Sequence, residues 1–152
     1  MLAVDTRLPE IRMSDTEGKA VRLTDFPGQA VLMFFMRSTT CPVCNLHVRH
    51  LVSRSAEFRA HGVQVIIAVP EDRVDAARWK EKQSIPFPVI SNSTGGPHTG
   101  VGLTKKVFGM MQQSGTLLID RSGVIRYAHS ATMPTGSYNR KAVQAAIAEL
   151  SP

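Results

Sequence analysis

The chain has 152 residues, of which 43% are hydrophobic and 20% charged, with 11 Gly and 9 Pro. That length suits one domain with its own core, so residues 1–152 are read as a single unit, and the composition excludes a disordered, collagen-like or coiled-coil chain. Eighteen Lys and Arg against 12 Asp and Glu leave a net charge of +6, yet Lys105-Lys106 and Arg140-Lys141 are only pairs, with no aromatic residue interleaved, and no nucleic-acid surface is indicated.

The longest apolar run is Ala30–Met36, far short of the roughly 18 residues of a membrane helix. Met1–Arg7 holds no apolar signal-peptide core. No membrane contact is therefore expected, and a cytoplasmic location is.

In chain order, Lys19–Phe26 reads as a short strand and turn. Ala30–Arg37 is a continuous apolar run, the pattern of a strand buried on both faces. Thr40-Cys41-Pro42 reads as a helix start, with a hydroxyl cap and proline in the first turn. That helix is expected to run to His61 and stop at Gly62, with Val48, Leu51, Val52 and Phe58 on its apolar face. Val63–Val69 is a second buried strand, Glu71–Lys82 a polar helix, and Pro86–Ile90 a short extended piece. Ser91–Gly100 reads as a loop, whose Gly-rich part, Ser93–Gly100, lacks the Gly-Lys-Ser/Thr of a phosphate loop; that part is expected to be a mobile loop, or else a lid or docking surface near Cys41. Thr116–Asp120 and Val124–Ser130 form a hairpin around Arg121-Ser122-Gly123, and Asn139–Leu150 is a last amphipathic helix. A strand–helix–strand–helix half followed by two strands and a helix predicts an α/β fold with parallel pairing in its first part and an antiparallel hairpin in its second.

The chemistry is expected at Cys41 and Cys44, the only cysteines. Two cysteines do not make a disulfide scaffold, and this spacing points to redox or metal chemistry. At a helix start after a buried strand, unpaired amides and the helix dipole favour a thiolate on Cys41. No acidic residue lies between Phe26 and Ala56, while Arg37, Arg49 and Arg54 do. Cys44, one turn on, is placed to trap an oxidised Cys41 as a disulfide. His47 and His50 continue the three-residue spacing, but that step drifts about 60° each time, so the four side chains spiral apart and do not converge on one ion. Ser38, Thr39 and Thr40 offer hydroxyls to a thiolate or a bound peroxide, or cap the helix. Arg37 ends the strand and is placed to lower the thiol pKa or to polarise an O–O bond. His129 is a candidate to face the same site.

These segments resemble the thioredoxin superfamily and, within it, the peroxiredoxin-like branch of the alkyl hydroperoxide reductase and thiol-specific antioxidant family. Val21–Phe35 is similar to the opening segment of redoxins. Phe35-Met36-Arg37 ahead of Cys41-Pro42-Val43-Cys44 resembles the Phe-x-Arg-x-x-x-Cys-Pro-x-Cys pattern of peroxiredoxin-like proteins. Ile85–Ser91 resembles their Pro-Phe-Pro-Leu-Leu-Ser-Asp piece, and Leu118–Tyr127 the penultimate hairpin shared with membrane-tethered thiol reductases. The resemblance implies a thioredoxin-like fold, a central mixed sheet flanked by helices, with Cys41 as the reactive thiol. Two family features are replaced. In the Pro-x-x-x-Thr-x-x-Cys motif Ser38 keeps the hydroxyl but Phe34 stands for the proline, and the usual active-site arginine falls at about Ser114. Arg37 or Arg126 is the expected substitute for that arginine.

The resulting expectation is a thiol peroxidase that reduces hydroperoxides through Cys41 with Cys44 resolving. It needs no metal, flavin or haem and is reset by thioredoxin or a low-molecular-weight thiol. Two alternatives stay open: a thioredoxin-type protein disulfide oxidoreductase using the same pair, and a redox-sensing binding module without turnover. Peroxiredoxin-like proteins often dimerise, so a homodimer is among the assemblies implied, although no apolar stripe in the sequence marks a pairing surface.

Overall fold

The computed structural model describes residues 1–92, 96–106 and 111–150. Its centre is β2 (Ala30–Phe35), whose six residues are all buried. Beside it run β3 (Val63–Ala68), parallel, and β7 (Ser114–Ile119), antiparallel. β4 (Val89–Ser91) continues the parallel side, β1 (Ser14–Asp15) closes that edge antiparallel, and β8 (Ile125–Ala131) closes the other. The order β1-β4-β3-β2-β7-β8 makes a six-stranded mixed sheet. A small hairpin, β5 (Lys105–Lys106) with β6 (Met111–Gln112), stands apart from it.

Alternate side chains of β2 leave the sheet on opposite faces, which divides the core in two. Leu32 and Phe34 join buried residues of α1 (Pro42–Ser53), α2 (Ser55–Ala60), α3 (Arg73–Lys82) and α5 (Arg140–Ala148), including Leu51, Phe58, Trp79 and Val143. Val31, Met33 and Phe35 pack instead on the N-terminal segment around Met13 and Val21, and on Val101 and Leu103 after α4 (Pro97–Gly100). This is the thioredoxin-like α/β fold that the sequence predicts, with the parallel β2–β3 pair joined through α1 and α2 and the β7–β8 hairpin following.

Several boundaries differ from expectation, each for a local reason. The helix expected to reach His61 breaks at Arg54 into α1 and α2. There Ser53 Oγ donates to the His50 carbonyl at 2.7 Å, a side-chain bond of the kind that competes with helical pairing. Lys19–Phe26 forms no strand: Ala20 makes one bridge to Ser14, and Leu23–Asp25 is a 3-10 turn. Asp25 closes that turn by accepting the Arg22 amide at 2.9 Å. Pro86 and Pro88 have no N–H to give a ladder, and β4 begins only at Val89. Ser91 belongs to β4 and Pro97–Gly100 to a helical turn, while residues 93–95 of the expected loop lie outside the described residues. β1 and the β5–β6 hairpin, two residues per strand, were below what a periodic pattern can show.

Gly115 is fixed by sterics. It sits between Phe35 of β2 and Ser130 of β8, and a Cβ there would run into the His129 carbonyl oxygen and the Ser130 Cα. Those are backbone atoms that cannot swing aside. Gly115→Ala should therefore lower stability by about 1–3 kcal/mol, as overpacking does, read as a fall in the urea midpoint at unchanged slope; a wild-type midpoint would mean that the hairpin tolerates a wider spacing.

Candidate active site

β2 delivers the chain to the edge of the sheet at Phe35, and Met36 still bonds the Ala68 carbonyl at 2.9 Å. The segment Arg37–Thr40 then turns the chain into α1. A helix start leaves its first amides without partners inside the helix. The expected cap was the Thr40 hydroxyl. The cap is Cys41 itself, in extended conformation, and its sulfur accepts the Cys44 amide at 3.4 Å. Pro42 follows at the first helical position, where its missing N–H costs nothing. Thr40 is exposed, and its hydroxyl lies 3.1 Å from that of Ser38.

The turn is pinned from two elements. Glu71, just after β3, accepts both the amide and the hydroxyl of Thr39 on one carboxylate oxygen, each at 2.9 Å. Asn45, in the first turns of α1, donates its side-chain amide to the Thr39 and Cys41 carbonyls, both at 2.9 Å. Its oxygen accepts the indole N–H of Trp79 on α3 at 2.8 Å. Asn45, Glu71 and Trp79 were not among the sequence candidates. Asn45 stands four residues from Cys41 on the helix, a spacing that hinted at contact; the other two carry no sequence signal.

The two thiols, both buried, have opposite acidities. Burial alone would raise Cys41, but the Cys44 amide, the Cys44 thiol and the Arg37 guanidinium together outweigh it, and Cys41 lies below the usual 9.0. Burial pushes Cys44 up to about 12, helped by its neighbour Cys41 and opposed by the amides of Arg37 and Ser38. Arg37 thus opposes the effect of burial at both thiols.

Arg126, the other expected cation, is elsewhere. It is paired with Asp120 at 2.8 Å and Asp5 at 2.9 Å, next to the Ile119–Ile125 pair. Ile119 faces Val31 near the start of β2, about 15 Å along the strand from the end that leads to Cys41. The reason is strand length: a basic residue on β8 reaches the site only near the end that pairs with Ser114. His129 also serves another purpose, bonding the Gly136 carbonyl at 2.7 Å. His47 lies edge-on to Phe34, close to Tyr138, with Nε2 3.2 Å from the Pro134 carbonyl; burial lowers its pKa. Ser114 is fully buried, and among the described residues its hydroxyl has no hydrogen-bond partner. It shares a face of β7 with Thr116 and Leu118, and Leu118 belongs to the same core cluster as Cys41 and Cys44.

Residues 4–128 match the AhpC/TSA family. The chain belongs to the AhpC/TSA family. Among its relatives, chloroplastic peroxiredoxin Q of Oryza sativa subsp. japonica is 25% identical over 122 residues, covering 80% of this chain and 56% of the rice protein. Thiol-disulfide oxidoreductase ResA of Geobacillus thermodenitrificans is 24% identical over 133 residues, 87% of this chain and 72% of ResA. In structure, peroxidoxin BcpB from Mycobacterium tuberculosis superposes with a TM-score of 0.85 at 18% identity, over 99% of this chain and all of BcpB. The chain spans little more than half the length of the plant proteins it matches. Among the described residues no helix is long and apolar enough to cross a membrane. As a member of the AhpC/TSA family the protein keeps the thiol at a helix start while lodging Phe34, not proline, beneath His47 and Tyr138.

Two outcomes follow. Asn45→Ala strands the Trp79 indole N–H and frees the Thr39–Cys41 turn, and should cost about 1–3 kcal/mol in urea unfolding. The thiols contribute to the alkaline limb of stability, together with the buried Tyr138, which burial pushes up to about 12. Cys44 keeps its proton in the folded chain up to about 12 against 9.0 ordinarily, so its contribution is full below pH 9 and is lost as pH rises from there. Cys41, depressed when folded, has the opposite sign, and its contribution is lost as pH falls through the folded value. Cys44→Ala should therefore flatten the decline of the urea midpoint above pH 9, whereas Cys41→Ser should leave that limb in place.

Proposed function

We propose that the protein is a thiol peroxidase in which Cys41 is oxidised and Cys44 resolves. The observation that carries this is the split between the two thiols: a Cys41 sulfur held by an amide and a guanidinium and lowered in pKa, beside a buried Cys44 that keeps its proton. The Cys41 thiolate attacks one oxygen of a hydroperoxide. The O–O bond breaks, the alcohol or water leaves with a proton, and Cys41 becomes a sulfenic acid. Arg37 stabilises the negative charge that moves onto the leaving oxygen. Cys44 then attacks the Cys41 sulfur, the S–O bond breaks, and the hydroxyl leaves as water with the Cys44 proton. An external dithiol such as thioredoxin, or two molecules of a low-molecular-weight thiol, exchanges with the disulfide and restores both thiols. The cycle suits a reducing compartment, the cytoplasm in this reading.

A second reading is favoured by one observation. The pair Cys-Pro-Val-Cys at a helix N-terminus, with similarity to ResA, also fits exchange with a protein disulfide. The two readings differ in whether a sulfenic acid forms.

Stopped-flow oxidation of the reduced protein by hydrogen peroxide and cumene hydroperoxide separates them. Rapid thiol loss that Cys41→Ser abolishes, with a dimedone-trappable sulfenic acid in Cys44→Ser, is the expected result. Arg37→Ala should slow the first step by about 10- to 100-fold, the scale of one lost electrostatic contact in a transition state, and Arg126→Ala should leave it unchanged. Oxidation no faster than that of free cysteine would overturn the peroxidase reading in favour of disulfide exchange.

A further inference from the structure

The carboxylate of Glu71 reaches the thiol turn from a fixed base. Glu71 follows β3, and its main-chain carbonyl accepts the Asn92 amide at 2.8 Å. The next residue, Asp72, caps α3 by accepting the Asp75 amide at 2.9 Å. The backbone around Glu71 is thus held without help from its side chain. Among the described residues, the hydrogen bonds of that side chain go to Thr39 alone, to its amide and to its hydroxyl, each at 2.9 Å. Both end on Oε2, while Oε1 is buried and, among the described residues, has no partner. An unpaired buried acceptor lowers stability, so the two bonds on Oε2 are kept against that cost.

Thr39 stands two residues before Cys41, and all three of its polar groups are tied. The amide and hydroxyl donate to Glu71, and the carbonyl accepts the Asn45 side-chain amide at 2.9 Å. The same nitrogen of Asn45 donates to the Cys41 carbonyl at 2.9 Å, and the Cys41 amide donates to the Ser38 carbonyl at 3.3 Å. Hydrogen bonds therefore run without a break from Glu71 through Thr39 and Asn45 to the backbone of Cys41. What that backbone sets is the 3.4 Å contact between Cys41 Sγ and the Cys44 amide, a donor that favours the thiolate. A shift of about 1 Å at Cys41 would withdraw the sulfur from that donor, and misplacement on this scale is costly to a reacting group.

We infer that Glu71 is a positioning residue for Cys41, acting through Thr39 to hold the turn in which the Cys41 sulfur meets the Cys44 amide. The inference rests on the reading of Cys41 as the reactive thiol, which peroxide reduction and disulfide exchange share. Glu71 forms and breaks no bond in either reaction; it acts on geometry. The hydroxyl hydrogen of Thr39 is committed to Glu71, so Thr39 serves the turn and not a bound substrate. The Arg37 guanidinium and the Cys44 thiol also act on the Cys41 sulfur, and both are retained in the variants that test the inference.

The test compares Glu71→Ala, which loses both bonds, with Glu71→Gln, whose side-chain oxygen can still accept them, and Thr39→Val, which loses only the hydroxyl bond. The readout is the rate of alkylation by iodoacetamide as a function of pH, with the labelled cysteine identified by peptide mass spectrometry. It needs no peroxide chemistry. The urea midpoint is measured beside it, since a side chain that only stabilises the fold would lower that midpoint and leave the reactivity of the folded protein unchanged. In Glu71→Ala the pH midpoint of Cys41 alkylation should rise by about one unit, the scale of one weakened hydrogen bond to a thiolate. Glu71→Gln should recover most of the wild-type profile, and Thr39→Val should show a smaller rise. A wild-type profile in Glu71→Ala, or a Glu71→Gln as impaired as Glu71→Ala, would overturn the proposal. Should Glu71→Ala fail to fold, Thr39→Val decides, and a wild-type midpoint there would overturn it. A parent protein in which Cys41 is not the thiol labelled first would remove the reading of Cys41 and the proposal with it, a result told apart because it appears before any substitution is made.

Discussion

One amide of α1 is satisfied by a sulfur where a hydroxyl or carboxylate oxygen usually serves. The Cys44 N–H donates to Cys41 Sγ, and that bond ties the fold to the chemistry. It requires α1 to begin at Pro42 and Cys41 to hold an extended backbone. The turn before it must also be held still. The helix dipole, the amide and the Arg37 guanidinium all act on a sulfur that is almost completely covered. Burial by itself makes a thiol harder to ionise, and the arrangement works because several short-range terms oppose burial at one residue.

Three residues further on the balance reverses. Cys44 also receives amides, from Arg37 and Ser38, but its burial is deeper and its neighbour is another sulfur, so the thiol form wins. The protein therefore creates an asymmetric pair from two chemically identical side chains one helical turn apart. The difference comes from depth: Cys41 caps the helix and Cys44 points into the core with Val48 and Leu51. A metal site would need the reverse, side chains converging at equal depth. His47 instead lies on Phe34 and reaches the Pro134 carbonyl.

Much of the scaffold was legible in the sequence because its strongest elements are extreme cases. A strand buried on both faces reads as an unbroken apolar run, which marks β2 and β3, and the short turn at Arg121-Ser122-Gly123 marks the β7–β8 hairpin. The Cys-x-x-Cys spacing at a helix start placed the thiols. Contacts that depend on how distant segments meet were not legible. Glu71 lies 32 residues from Thr39, and nothing in either stretch shows that a carboxylate after one strand will hold a turn after another. Arg126 illustrates the converse error. Residue type suggested a role, but a strand has two ends, and pairing with Asp5 and Asp120 places it at the wrong one.

The turn that presents Cys41 has little structure of its own, and its order is imposed from outside. Glu71 holds Thr39 from the end of β3, Asn45 ties Thr39 and Cys41 to α1, Trp79 holds Asn45 from α3, and His98 holds the Met36 carbonyl from the opposite face. Each contact comes from a different element, so the position of the sulfurs depends on the packing of the whole sheet. The position of a reactive thiol is held by the hydrogen bonds of the residues around it as much as by packing. Those bonds are made largely to backbone carbonyls and amides, which leaves the exposed side chains of the turn, Thr40 among them, open to variation at little cost to the geometry of the pair.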